Sequence, residues 1–180
     1  MLLKSQTSKG FTVVEIVLVI VLLAIVSAVA ISRFVSGNAF NPTIVRDQII
    51  SLARTAQQSS LGRTDVSLTI TPNGAGDTVT IETSDTDGTI QSFDVSIDDV
   101  TLSGDINDTD SCATTSGADS ITNAAPMTID FEELGDLGTS GVTGSTGAVT
   151  SAVRVCINDS ALASVCVSPS GFAYAGDCDV

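Results

Sequence analysis

Lys9-Gly10-Phe11-Thr12-Val13-Val14-Glu15 opens an apolar stretch that carries no charge from Ile16 to Ser32. A short basic leader stops at a glycine, an aromatic residue follows, and one carboxylate stands five positions past the glycine. A carboxylate in such a run is costly unless something pairs with it. Phe11–Ile31 is 21 residues, about 31 Å as a helix and enough to span a hydrocarbon core. A conventional signal peptide would place its apolar region at Val13–Val26 and its cut at Ala28-Val29-Ala30. The run is long for that, and Glu15 fits poorly. A plain signal anchor explains the length but gives no reason for Glu15 or for the Gly10-Phe11 junction. The third reading is a leader cut after Gly10, leaving a hydrophobic helix that serves in both membrane and assembly.

Downstream the pattern changes. Ser36-Gly37-Asn38 loosens the helix. Asn41-Pro42 reads as an N-cap followed by proline in the first helical position. Ile44, Val45, Ile49, Leu52, Ala53 and Ala56 recur at three- and four-residue spacing, and Gly62 is a stop. This is an amphipathic helix whose stripe should lie on a sheet. From Val66 the period becomes two: Val66–Ile70 and Thr78–Glu82 alternate around a Pro72-Asn73-Gly74 turn. Ile90–Ile97 and Met127–Phe131 read as further strands. Residues 98–126 read as a polar acidic loop, and 135–147, with five glycines, as a flexible loop.

The charge is one-sided. The 180 residues carry 21 acids and 7 basic groups, a net charge of −14. No Lys or Arg lies between Arg63 and Arg154, while 16 acids fall from Asp65 to Asp136. Such a surface repels phosphate backbones, so nucleic acid is not an expected partner. The chain has no His, which removes Ser-His-Asp and Cys-His nucleophiles. Asp130, Glu132 and Glu133 are the one tight acidic cluster among apolar residues. A strand end running into an acidic turn accounts for them more simply than a paired-carboxylate hydrolase. An enzyme is not expected.

Four cysteines, Cys112, Cys156, Cys166 and Cys178, lie in the C-terminal part without a CxxC. With no His to complete a site, zinc is disfavoured and two disulfides are expected. Pairing Cys156 with Cys166 also pairs Val155 with Val167 and Ile157 with Val165, which puts all four apolar residues on one face. That leaves Cys112 with Cys178. The ladder 112–156 with 166–178 stays open, because spacing does not fix connectivity.

The junction Lys9-Gly10-Phe11-Thr12-Val13-Val14-Glu15 with its apolar run resembles the prepilin signature of type IV pilins and type II secretion pseudopilins. The match covers about residues 4–36. The resemblance implies cleavage between Gly10 and Phe11 by a prepilin peptidase and N-methylation of Phe11. It also implies an α+β pilin fold: a long N-terminal helix packed on an antiparallel β-sheet head with disulfides. The chain would divide into a leader (1–10), a hydrophobic transmembrane and assembly helix (11–36), an amphipathic second half of that helix (37–63) and an acidic β-rich head (64–180). Arg46-Asp47-Gln48, Arg54-Thr55-Ala56-Gln57-Gln58 and Cys166–Tyr174 look like MSHA-type minor pilins, which are related to GspH/FimT pseudopilins. Some relatives bind DNA through a basic tail. The tail here, Gly176-Asp177-Cys178-Asp179-Val180, is acidic, so that activity does not carry over.

The expected function is therefore a minor structural subunit of a type IV pilus, in priming or adhesion. Its partners would be other pilin subunits through the N-terminal helix, the prepilin peptidase, and the inner membrane before assembly. The expected location is the inner membrane, single-pass with the head in the periplasm, and afterwards an extracellular pilus or periplasmic pseudopilus. A minor pseudopilin of a type II secretion system is the alternative, and a membrane-anchored periplasmic binding module a further one. Glu15 would meet the new α-amine of a neighbouring Phe11, since a matched pair is tolerated in an apolar bundle and fixes register. A first-turn Glu favoured by the helix dipole is the plainer account of the same residue.

No cofactor is required. Calcium is the one ion the loops could take: Asp85 and Asp87, and Asp105 and Asn107, place oxygen ligands at alternate positions. Neither loop completes an EF-hand, since Ser96 stands where the Asp85 loop would need its bidentate Glu. Turn-forming Asp and Asn explain both stretches without an ion.

Overall fold

The computed structural model describes residues 12–34, 41–97, 100–107, 112, 119–158 and 160–178. They fall into two compact units, Met1–Gly37 and Asn38–Val180. The first contains α1 (Val13–Phe34), of 22 residues. The second opens with α2 (Asn41–Ser60), of 20 residues. Eleven strands follow among the described residues: β1 (Val66–Pro72), β2 (Thr78–Asp85), β3 (Gly88–Ser96), β4 (Leu102–Ile106), β5 (Asp119–Ser120), β6 (Met127–Phe131), β7 (Leu137–Val142), β8 (Gly147–Ala148), β9 (Val153–Ile157), β10 (Ser160–Val167) and β11 (Ala173–Ala175). They form two antiparallel sheets, β3-β2-β1-β6-β7-β8 and β11-β10-β9-β4-β5.

The expectation of an α+β pilin fold built on one long N-terminal helix is corrected by this architecture. The chain is mostly antiparallel β, and its helical residues are two shorter helices. The difference arises in segments read as loops. Residues 98–126 contain β4 and β5, and residues 135–147 contain β7 and the start of β8. β4 hides because Ser103, Gly104 and Asp105 break any alternation. Gly104 is there for space: a Cβ on it would lie 2.5 Å from Sδ of Met127.

The inner-membrane, single-pass location is corrected as well. Among the described residues no helix is long and apolar enough to cross a membrane.

Both sheets and α2 share one core. Val45, Ile49, Leu52, Ala53 and Ala56 of α2 are fully buried, as are Leu68, Ile70, Val79, Ile81, Met127 and Ile129 from the first sheet and Val153, Val155, Ile157, Val165 and Val167 from the second. Ile44, on the same helix, is left exposed. β1 and β2 show strict alternation of buried and half-buried positions, as a sheet with one covered face requires.

The second sheet corrects the preferred cysteine pairing. β9 and β10 pair Val155 with Val165 and Val153 with Val167, displaced by two residues from the expected register. A shift of two keeps every side chain on its own face, so the valines still enter the core. The shift moves Cys166 opposite Arg154, while Cys156 stands opposite Ser103 of β4. The two cysteines no longer face each other. The bridges are Cys112–Cys156 and Cys166–Cys178, so the 156–166 and 112–178 pairing is wrong.

Non-reducing peptide mapping should recover cross-links 112–156 and 166–178; a 156–166 peptide would overturn the β9–β10 register. The bridges span 44 and 12 residues, so removing them as Ser pairs should cost about 4 and about 3 kcal/mol in urea unfolding.

Candidate functional site

Three groups of residues, besides the calcium candidates, bear on a site. The first is the start of α1. The Glu15 N–H donates to Thr12 Oγ1 at 3.2 Å and to the Thr12 carbonyl at 3.1 Å. Thr12 is therefore the N-cap, and Glu15 occupies the third helical position, the spacing of a capping box. The Thr-x-x-Glu signal was present in the sequence and explains where the helix begins. In the first turn Glu15 also sits where the helix dipole favours an anion. Among the described residues no cation pairs with its carboxylate. Gly10 and Phe11, the expected processing site, lie outside the described residues.

Beyond Glu15, the described side chains of α1 form no polar stripe. Twelve Val, Leu and Ile side chains from Val13 to Val26 are 49–78% exposed. At about 1.5–3 kcal/mol for burying one such side chain fully, the stabilisation left unrealised is on the order of 10 kcal/mol. That matches the whole net stability of a typical domain. The helix is built to be covered.

Three of the four calcium candidates, Asp85, Asp105 and Asn107, have their side chains engaged by protein contacts. Asp85 Oδ2 takes Arg63 Nη1 at 2.8 Å, and its Oδ1 accepts the N–H groups of Asp87 at 2.8 Å and Gly88 at 3.2 Å. This is a turn-stabilising carboxylate. Asp105 is buried with its carboxylate 3.9 Å from Arg154. Asn107, at φ 67°, donates to the Ala148 carbonyl at 3.1 Å and accepts from Thr150 Oγ1 at 3.0 Å. Asp85 and Asp87 belong to one sheet, Asp105 and Asn107 to the end of a strand in the other. Among the described residues no group of three or more acidic or cysteine side chains converges in a way that could hold a metal.

The second group is acidic. Asp65, Asp130 and Glu132 line a small hollow with Ser67 and Thr139. Asp130 sits at the end of β6, its N–H donating to Ser140 Oγ at 3.3 Å. Burial holds its carboxyl above the ordinary 3.8, reinforced by the charges of Glu132 and then Asp65. Glu133 turns away and uses its backbone carbonyl to accept from Gly62 N–H at 3.0 Å. The larger groove lined by residues 72–76, 97, 100–102 and 120–124, about 590 Å³, has no titratable side chain among the described residues that line it.

The third group brings together residues that are remote in sequence. Arg54 donates through Nε and Nη2 to the Ala173 carbonyl at 3.2 and 3.0 Å and lies 5.3 Å above the Phe172 ring. Gln57 donates to the Ser170 carbonyl at 2.7 Å. Gly171, at φ +78°, comes so close to the Gly135 carbonyl that a Cβ would stand 1.9 Å from the oxygen. The second half of α2 thus ties the loop before β7 to the loop before β11. On the far side of the second sheet, Arg154 is buried between Asp105 and Asp177, with Nε 2.6 Å from Asp177 Oδ1. A buried cation needs such partners. Both arrangements hold loops and chain ends in place.

No protein-family model, curated protein or solved structure matches the chain.

The Asp130 shift has a testable sign. A carboxyl whose pKa is raised on folding destabilises the fold once it is ionised. Stability should therefore fall as pH rises from 3.8 through the raised folded value, and the full penalty should persist above it. Asp130→Asn should raise Tm at pH 7 and lose that advantage below pH 3.8. Unchanged or lower Tm at both pH values would show that the carboxylate is not penalised.

Proposed function

We propose that this chain is a structural subunit of a type IV pilus, of the minor-pilin class. It is cut between Gly10 and Phe11 by a prepilin peptidase and assembles through its N-terminal helix. One observation carries this reading: α1 exposes apolar side chains on every face from Val13 to Val26, with Glu15 as the single charge. A helix apolar all round needs burial on all sides. Helices of neighbouring subunits supply that cover.

Glu15 gives the packing a register. After cleavage the α-amine of Phe11 becomes a cation four residues before Glu15. In a bundle, Glu15 of one subunit meets the amine of the next. Removing one member of a buried ion pair costs about 3–5 kcal/mol. The capping contact with Thr12 is compatible with this role, because it uses the Glu15 backbone N–H and leaves the carboxylate for a partner.

Two measurements test the proposal. Intact mass and N-terminal sequencing of protein co-expressed with the peptidase should give a chain starting at methylated Phe11; a start at Ile31 would exclude it. Glu15→Val should leave the melting of the second unit unchanged and lower incorporation into isolated fibres by about tenfold or more. Normal incorporation would remove the role given to Glu15.

A further inference from the structure

The two sheets have four edges, and three of them are closed. β5 and β8 are two residues long, and the Ala148 carbonyl of β8 accepts from Asn107. β11 is three residues long, and the Arg54 guanidinium occupies its Ala173 carbonyl. Short or capped edges of this kind prevent unwanted strand pairing.

β3 has none of these devices. It is nine residues long, Gly88–Ser96, and seven of the nine are exposed. It contains no Pro, no Lys and no Arg, and its one charge is Asp94. It pairs with β2 on one side and lies at the end of its sheet. About half the N–H and C=O groups of an antiparallel edge strand point away from its neighbour. Its side chains differ by face. Gln91, Phe93 and Val95 stand opposite Thr83, Ile81 and Val79, which are fully buried, so this face continues the core. Phe93 is 40% exposed there. On the other face Asp94 lies opposite Thr80, and Glu82 lies opposite Ser92.

We infer that the outer edge of β3 is a docking site for an extended segment of a partner polypeptide, one that places apolar residues toward Phe93 and lysine or arginine toward Asp94 and Glu82. Backbone bonds along the edge give affinity, and alternate side chains give selectivity. Charge complementarity decides the occupant. The second unit carries 20 acidic residues against 4 arginines. Sixteen of those acids lie from Asp65 to Asp136, a section without Lys or Arg that contains β3; Arg63 and Arg154 at its ends meet Asp85 and Asp105. A second copy would set Asp87, Asp94 and Glu82 against the same acids, and two such surfaces repel. A segment with basic residues is drawn to them, and this contact is separate from anything α1 does.

The test uses the full chain in non-ionic detergent and a fluorescein-labelled peptide, Lys-Val-Thr-Val-Lys-Val-Thr-Val-Lys. Anisotropy should rise saturably. Replacing the peptide's lysines with glutamates should weaken binding by about tenfold or more, and N-methylation of alternate residues along one edge should abolish it. Hydrogen exchange on the wild-type chain should show new protection at Ile90–Val95. The double variant Ile90→Lys with Asp94→Lys should bind the lysine peptide about tenfold more weakly or worse. The inference is overturned by equal binding of the glutamate peptide, by indifference to N-methylation, or by protection elsewhere. Protection of the same amides by self-association of the peptide-free chain would overturn it in favour of a second copy. Should the variant fail to fold, the exchange data on the wild-type chain decide.

Discussion

The apolar stripe of α2 has to be covered from two sides at once, and the head is arranged around that requirement. Val45, Ile49, Leu52, Ala53 and Ala56 carry no exposed surface, because both sheets reach the helix and share one core with it. A single sheet would cover only part of a stripe this wide. The polar contacts of α2 reinforce the same geometry. Thr83 Oγ1 of the first sheet donates to the Leu52 carbonyl at 3.3 Å, while Arg54 and Gln57 hold the loop leading into β11. The helix is where the two sheets are joined.

The sequence made some of this legible and hid the rest for identifiable reasons. α2 and the β1–β2 hairpin could be read because proline and glycine mark their ends and apolar residues keep one period. β4 and β7 could not. β4 is buried on both faces, so it has no alternation to detect, and its Asp105 reads as a loop residue until Arg154 is seen beside it. β7 contains Gly138 and Gly141, which close packing demands: a Cβ on Gly141 would stand 2.7 Å from the Ser145 carbonyl. The glycines that suggested flexibility are the ones that let backbones approach. Missing these strands is what made the head look like a small sheet beneath a long helix.

The cysteine pairing failed in an instructive way. The inward face of β9 and β10 was right, and that was all the alternation could show. Sliding one strand by two residues preserves every buried valine while changing which cysteines meet. Hydrophobic pattern fixes the face of a strand, and the pairing of a particular residue depends on where the hairpin closes. The irregularity between Ser160 and Val165 sets that closure, and nothing in the apolar pattern announces it. At the start of α1, the Thr-x-x-Glu spacing of Thr12 and Glu15 marks a helix cap in the sequence itself.

The molecule thus divides its surface. The second unit completes its own core and closes three of its four sheet edges, while α1 leaves twelve large apolar side chains uncovered. The central claim is that the second unit is finished by itself and that the apolar helix exists for intermolecular contact. Sedimentation velocity on residues 38–180 beside the full chain, in one detergent-free buffer, tests this most directly. The account predicts a folded monomer for the shortened chain and association for the full chain. A shortened chain that unfolds or aggregates, beside a full chain that remains a folded monomer, would contradict it.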